Sequence, residues 1–202
     1  VVIVLDVTPF YAESGGQVGD TGVLLNGGNI ASVSDTIKSE GHFLHIATVE
    51  QGCIRKGDKV LAQIDKERRM AIMRNHTTAH LLQYALRQVL GDHVHQAGQL
   101  VNEKACRFDF NHFSAMTPEE IAKVEALVNA EIMSAVPVTM KEMPIEEARK
   151  LGAMALFGEK YGNTVRVVTA DKSVEFCGGT HISNTSQIGL FKIVSESSVA
   201  AG

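Results

Sequence analysis

The sequence lacks the features that mark secreted and membrane proteins. Three cysteines in 202 residues are too few, and odd in number, for a disulfide framework. Without a secretion signal, this cysteine usage indicates a reducing compartment, and we expect a cytoplasmic protein. No apolar run reaches the roughly 18 residues that a membrane helix needs, so we expect no membrane partner.

An excess of basic charge is also absent. The formal net charge is -4, so no protein-wide positive field indicates a long nucleic-acid footprint. A protein that grips only the end of an RNA needs just a local patch, and Lys66, Arg68, Arg69 and Arg74 are close together in the sequence. Charge alone leaves two interpretations of this segment open, an RNA patch or a solvated helix face.

The composition that remains is that of an ordinary globular protein. Hydrophobic residues make up 45% and charged residues 21% of the chain, which is long enough to bury a core as one large or two small domains. It begins Val1-Val2 without methionine and stops at Gly202 after an apolar stretch. We therefore expect a fragment of a longer protein.

Residues 1–64 are predicted to form a small β domain. An apolar run predicts a buried strand at residues 1–5. Further short strands are predicted at residues 21–25, 29–37, 42–48 and 58–64, separated by glycine-containing turns. Several short strands with glycine turns are typical of a barrel or an open sandwich, and we expect a β-barrel-like domain.

Residues 65–202 are predicted to mix helices with a largely antiparallel sheet, which gives an α+β fold. A helix is predicted from the N-cap Asp65 to Gly91, and a second from Thr117, with Pro118 and Glu120 in its first turn, to about residue 134. The remaining predictions are a short helix at 144–151, a lid or binding loop at 153–162, a turn and strand within 91–101, and strands at 106–110, 136–141, 164–168, 172–176 and 189–194.

Two segments each carry two potential metal ligands four residues apart. His76 and His80 would share one face of the first long helix. Cys177 and His181 follow a predicted strand. Three imidazoles and one thiolate suit tetrahedral zinc. A His-x-x-x-His pair alone is equally typical of a polar helix face, but the second pair favours a zinc site.

A glycine pair followed by glutamine, Gly15-Gly16-Gln17, is a second candidate site. Paired glycines let a backbone approach a ligand closely, and a glutamine amide can orient water. A purely structural turn is the other interpretation of this triplet. Further along the chain, Gln96 or Gln99 could supply an amide to a pocket, and a surface glutamine in a hairpin is the alternative.

Several motifs resemble, in order, the editing region of alanyl-tRNA synthetases, and together they extend over essentially the whole chain. They are the run from Thr8 to Gly22, the His76 and His80 pair, Arg107-Phe108-Asp109-Phe110, and Cys177-Gly178-Gly179-Thr180-His181. Freestanding AlaX-type trans-editing proteins share these motifs. The sequences Ala12-Glu13-Ser14 and 196–202 resemble the synthetase more than the freestanding proteins.

The resemblance implies hydrolysis of the ester that joins serine or glycine to alanine tRNA. An alanine pocket rejects a smaller amino acid, or one with an added hydroxyl, only weakly, so a second hydrolytic site is needed. The implied partners are the acceptor end of mischarged tRNA(Ala) and the catalytic and C-terminal domains of a parent synthetase. ATP would be bound by a domain outside this chain.

The resemblance also implies roles for individual residues. The zinc ligands would be His76, His80, Cys177 and His181. Gln96 and Thr78 would position water, with Cys177 as a third catalytic residue. Substrate contacts are expected from Thr77, Gln17, Gly178 and Gly179. The family often has Thr where this chain has Ala79, and Ser where it has Gln99.

Other functions remain open at this point. One alternative is a structural zinc module that binds the tRNA acceptor end without turnover, since four protein ligands close a tetrahedral shell. Another is a freestanding AlaX-type deacylase. A zinc peptidase would need His-Glu-x-x-His, and position 77 is Thr, so its general base is missing.

Overall fold

The computed structural model describes residues 1–154 and 161–198, so most of the predicted loop at 153–162 lies outside the described residues. Within these ranges the chain forms an α+β structure with antiparallel sheets and three α-helices, as the sequence predicts. None of the described helices is long and apolar enough to cross a membrane.

The first half of the fold is a five-stranded antiparallel sheet in the order β1-β4-β3-β2-β5. Its strands are β1 (Val2–Val4), β2 (Gly22–Asn26), β3 (Asn29–Ser39), β4 (His42–Gln51) and β5 (Leu61–Ile64). The two outer strands, β1 and β5, do not pair with each other. The described part of the sheet is therefore open, and no closed barrel forms there.

The prediction of a buried first strand is wrong. Val2 and Val4 are 59% and 54% exposed, because β1 is an edge strand that pairs only with β4. The apolar core of this sheet forms elsewhere, around Phe10, Leu24 and Val33.

Helix α1 (Lys66–Leu90) follows β5 directly and ends where the sequence predicts. The Asp65 side chain accepts from the backbone N–H of Arg68 at 3.0 Å, which caps the first turn. Gly91 stops the helix with φ 116°, a conformation that favours glycine. The helix buries eleven side chains, His76 and His80 among them, so it forms the axis of the second half.

Arg68 and Arg69, two of the four basic residues near the start of α1, hold the loop before β2 in place. Arg69, which is largely buried, forms an ion pair with the buried side chain of Asp20. The guanidinium of Arg68 donates to the carbonyl of Gly19 at 2.8 Å and contacts Glu103 at 3.2 Å. These arginines therefore fix residues 9–20 against the helix.

The remaining elements complete the second half of the fold. They are the hairpin β6 (Gln96–Val101) and β7 (Cys106–Phe110), helices α2 (Pro118–Met133) and α3 (Ile145–Lys150), a 3-10 turn (Thr185–Ile188), and a sheet of β8 (Val138–Pro144), β9 (Thr164–Ala170) and β10 (Ser173–Phe176). This sheet has the order β10-β9-β8. The predicted N-cap of α2, Thr117, is confirmed, and it forms a capping box with Glu120.

The predicted strand at 189–194 does not form. Side chains of α2 accept hydrogen bonds from its backbone: Asn129 from Phe191 N–H at 3.0 Å and Glu125 from Ile193 N–H at 2.7 Å. Phe191 and Ile193 pack on the core of the second half. The alternating apolar pattern therefore serves packing against a helix instead of strand pairing.

Candidate metal centre

Four side chains from two distant segments converge on one point inside the protein. His76 and His80 come from α1, while Cys177 and His181 come from the turn that follows β10. Their potential ligand atoms all lie within 4.8 Å of one another. The thiol sulfur of Cys177 is 3.5 Å from Nε2 of His76 and 3.3 Å from Nε2 of His181. The spacing-based expectation that these four meet is confirmed.

Local chain geometry explains the convergence. Residues i and i+4 of a helix lie on one face, so α1 directs both imidazoles to the same side. The turn approaches α1 closely because Gly179 lacks a side chain. A Cβ at this position would overlap the imidazole of His76 and lie 2.9 Å from Oε1 of Gln17.

Gln17 joins the two halves of the cluster. Its amide oxygen accepts from Nδ1 of His76 at 2.7 Å and from the backbone N–H of Thr180 at 2.9 Å. Its amide nitrogen donates to the Thr180 hydroxyl at 2.9 Å. The side chain is fully buried, and an amide oxygen can only accept. His76 therefore carries its proton on Nδ1, which leaves Nε2 available as a ligand.

Thr77 contacts the Nδ1 side of His181, as Gln17 contacts the Nδ1 side of His76. Its hydroxyl lies 3.2 Å from Nδ1 of that imidazole and accepts from the backbone N–H of Ile182 at 3.4 Å. With Nδ1 held in this way, Nε2 of His181 points to the thiol of Cys177. Thr77 thus contacts a candidate ligand instead of the cavity described below.

The electrostatics of the cluster favour neutral imidazoles. Burial lowers the pKa of His76 to about 3, with the neighbouring His80 and Arg166 acting in the same direction. Burial likewise lowers the pKa of His80 to about 4 and that of His181 well below its ordinary value. Neutral imidazole is the form that binds a metal ion. A buried set of three nitrogen donors and one sulfur donor therefore fits zinc.

A cavity of about 260 Å³ adjoins the cluster. The residues that line it are Tyr11, Ser14, Gly15, His76, Gln99, Tyr161, Thr164, Val165, Arg166, Phe176, Cys177, Gly178 and Gly179. One wall is therefore the ligand-bearing turn, and another is the loop that contains the glycine pair.

Arg166 and Tyr11 were not predicted as site residues from the sequence, whereas Gln99 was expected, as an alternative to Gln96, to supply an amide to a pocket. Arg166 donates to the carbonyls of Cys177 at 3.0 Å and Gly179 at 2.5 Å, which holds the turn in place. Tyr11 donates to the carbonyl of Ser14, and burial raises its pKa to about 12. Gln99 donates to the carbonyl of Gly15 at 2.7 Å. A charged residue between the valines of β9 was the one sequence signal for Arg166.

The predicted catalytic and substrate residues fall into three groups. Cys177, Gly178 and Gly179 line the cavity. Gln17 and Thr77 lie behind the imidazoles, as described above. Gln96 begins β6 opposite Phe110, and the Thr78 hydroxyl donates to the carbonyl of Arg74 at 2.8 Å. Neither Gln96 nor Thr78 is among the residues that line the cavity.

Comparison with known proteins gives two family matches. Residues 1–68 match the model described as tRNA synthetases class II (A). Residues 165–202 match the model described as the threonyl and alanyl tRNA synthetase second additional domain. The second match contains Cys177 and His181.

Relatives with high identity cover the whole chain. It is 60% identical to the alanine–tRNA ligase of Acetivibrio thermocellus over 204 residues, which is 100% of this chain and 23% of that protein. The alanine–tRNA ligase of Bacillus velezensis is 52% identical, and that of Bordetella pertussis 55% identical, each with 100% of this chain and 23% of the relative covered. The chain thus spans about a quarter of the length of these relatives.

Proposed function

The chain belongs to the alanine–tRNA ligase family as a segment of such an enzyme, and we propose that it is the segment that removes wrongly attached amino acids. The substrates are Ser-tRNA(Ala) and Gly-tRNA(Ala). Water adds across the ester, which releases the free amino acid and restores the hydroxyl of the terminal ribose. The partners are the acceptor end of tRNA(Ala) and the catalytic and C-terminal domains of the parent enzyme.

The observation that carries this proposal is the contact between the cavity and the four-ligand cluster. His76 and Cys177 belong to both. The volume of about 260 Å³ is near the lower end of the range for small-molecule sites, which suits a small aminoacyl group. An ester placed there would lie beside the candidate metal ligands.

Zinc is the proposed cofactor, held by His76, His80, Cys177 and His181. A zinc ion at this position supplies either Lewis-acid chemistry at the ester or, with its shell closed by four protein ligands, a rigid link between α1 and the turn. The donor set supports zinc because it consists of buried nitrogen and sulfur atoms.

Residues of the chain itself would bind and orient the substrate. A Cβ added at Gly178 would meet nothing within 4 Å, so a substrate can approach the backbone of the turn. The guanidinium of Arg166 adds positive charge to the cavity wall, which favours the anionic end of a tRNA. Tyr11 is a neutral phenol at neutral pH, and its raised pKa of about 12 keeps it neutral at higher pH as well.

Gln99 and Gln96 are alternative candidates for the amide that positions water. The family resemblance points to Gln96, with Thr78 as its hydroxyl partner, whereas the cavity is lined by Gln99. Deacylation by the single variants Gln96→Ala and Gln99→Ala would show which of the two glutamines positions water.

A structural zinc module is the second candidate function. The observation that favours it is the convergence of four ligand atoms, since four protein ligands complete a tetrahedral shell. Such a module would hold the tRNA end without turning it over.

Deacylation assays test the main proposal directly. The chain is incubated with Ser-, Gly- and Ala-tRNA(Ala), and we expect selective loss of the first two. No release from any of the three would contradict deacylation by this segment and support the structural module.

The role of the metal is tested by Cys177→Ala, with zinc content and melting temperature measured beside Ser-tRNA(Ala) deacylation. Cys106→Ala is a matched control, since both cysteines are partly buried and Cys106 lies outside the cluster. We expect loss of zinc and of deacylation in the first variant alone. Full activity without zinc would end the metal-centred proposal.

A further inference from the structure

A buried carboxyl group next to the cluster has no role in the function proposed above. Glu175 lies on β10, two residues before Cys177, and is 6% exposed. Its only ion-pair contact among the described residues is with an imidazole, not with lysine or arginine. Because burial of a carboxyl group is costly without compensating partners, its position calls for a specific interaction.

Two contacts fix the carboxyl group against α1. Its Oε1 accepts from the hydroxyl of Ser173 at 3.1 Å, and that hydroxyl also lies 3.4 Å from the carbonyl of His80. Its Oε2 lies 3.3 Å from Nδ1 of His80. The carboxyl group therefore faces Nδ1 of His80, which leaves Nε2 as the nitrogen that the proposed ion would use.

The contact with His80 is within ion-pair distance but does not form a hydrogen bond. In the described part of the chain, Nδ1 of His80 is buried and has no hydrogen-bond partner. A buried ring N–H without a partner is destabilising. Since Oε2 of Glu175 already lies 3.3 Å away, a small rotation of either group would turn the contact into a hydrogen bond.

The other two imidazoles of the cluster show the same arrangement. Nδ1 of His76 contacts the amide oxygen of Gln17, and Nδ1 of His181 contacts the hydroxyl of Thr77. In each case an oxygen atom from a different part of the chain holds Nδ1 and leaves Nε2 for the cluster. Glu175 completes this set for His80.

We propose that Glu175 is a positioning residue that orients His80 as a zinc ligand, an inference that rests on the metal centre of the proposed function. As the acceptor for the Nδ1 proton, its carboxyl oxygen selects the tautomer with Nε2 free. An acceptor in this position fixes the orientation of the ring and increases the basicity of the imidazole. Loss of such a partner typically lowers metal affinity roughly 10- to 100-fold.

The test uses two variants of similar side-chain volume in the 202-residue chain. Glu175→Met removes the acceptor without opening a cavity, and Glu175→Gln keeps an amide oxygen that can accept. Glu131→Met is the matched control, because Glu131 is also buried but pairs with Lys172 at 3.0 Å. Zinc affinity is measured by competition with a chromogenic chelator, and circular dichroism confirms folding.

We expect Glu175→Met to lose roughly 10- to 100-fold in zinc affinity, while Glu175→Gln and Glu131→Met retain most of it. With cobalt(II) in place of zinc, only Glu175→Met should change the visible absorption that reports ligand geometry. Equal affinity in wild type and Glu175→Met, or an equal loss in Glu131→Met, overturns the inference. If the wild type itself binds no zinc, that result refutes the proposed metal centre and not only the role of Glu175.

Discussion

Replacement of Gly179 by alanine should disrupt the metal cluster, while the same change at Gly178 should not. An added Cβ at Gly179 would overlap the imidazole of His76 and lie 2.9 Å from Oε1 of Gln17. At Gly178 an added Cβ would meet nothing within 4 Å, and its φ lies outside the left-handed region. Adjacent residues thus differ only in the space available to one methyl group.

The overlap cannot be relieved by a simple side-chain rotation. The imidazole of His76 is buried and bonded to Gln17 at 2.7 Å. Gln17 is bonded in turn to Thr180 at 2.9 Å, on the same turn. The backbone of the turn must therefore move away from α1 and carry Cys177 with it. Overpacking of this kind costs about 1 to 3 kcal/mol.

The magnitude can be converted into a melting temperature. For a chain of this size, 1 kcal/mol lowers the melting temperature by roughly 2 to 4 °C. Gly179→Ala should therefore melt about 2 to 12 °C lower than the wild type and lose zinc, as measured by calorimetry and elemental analysis. Gly178→Ala is the control for folding and metal content alone, since this residue lines the cavity. Equal melting temperature and zinc content in the two variants would refute the reasoning.

Three further predictions concern other parts of the structure. Asp20→Asn leaves the largely buried guanidinium of Arg69 without its counter-charge and should cost about 3 kcal/mol in urea unfolding. Asp109→Asn, in the more exposed ion pair with Arg107, should cost less than about 1 kcal/mol; similar costs would contradict this difference in burial. Gln99→Ala should slow Ser-tRNA(Ala) deacylation more than Gln96→Ala, because of these two glutamines only Gln99 lines the cavity. A larger effect of Gln96→Ala would instead support Gln96 as the residue that positions water. Burial lowers the pKa of His76 from 6.5 to about 3, so the unfolded chain binds more protons below pH 6.5 and the metal-free protein should lose stability as pH falls from about 6.5 towards 4; a constant melting temperature over that range would argue against a buried neutral imidazole.

Helix boundaries were predictable because local chemistry determines them. Asp65 caps α1 and Gly91 ends it, and Thr117 and Glu120 form the capping box of α2. These signals act within one helical turn, so neighbouring residues contain the information. The pairing of His76 with His80 follows from helical periodicity in the same way.

The errors came from interactions between distant parts of the chain. The run at residues 1–5 is apolar, but its exposure depends on which strand lies at the edge of the sheet. The run at 189–194 alternates like a strand, yet Asn129 and Glu125 of α2 take its backbone N–H groups. The local hydrophobic pattern of a segment indicates that one of its faces is apolar, but it does not identify the element that covers that face.

The roles of the site residues were the least predictable part. Thr77 and Thr78 are adjacent and chemically identical, but a helix rotates each residue about 100° from the last. The Thr77 hydroxyl consequently contacts His181, and that of Thr78 bonds back to the carbonyl of Arg74. Sequence could propose a threonine for the site, but the direction of each hydroxyl depends on the rotation of α1 against the turn.

The same long-range contacts bear on the predicted division of the chain at residue 64. Gln17 bonds to His76 across that boundary, and the backbone N–H of Val18 donates to the carbonyl of Val101 at 3.1 Å. The ion pair of Asp20 with Arg69 crosses it as well. Removal of residues 1–64 would therefore leave His76 without its Nδ1 acceptor, so the division stays a prediction about architecture, while the metal centre draws on residues from both sides of it.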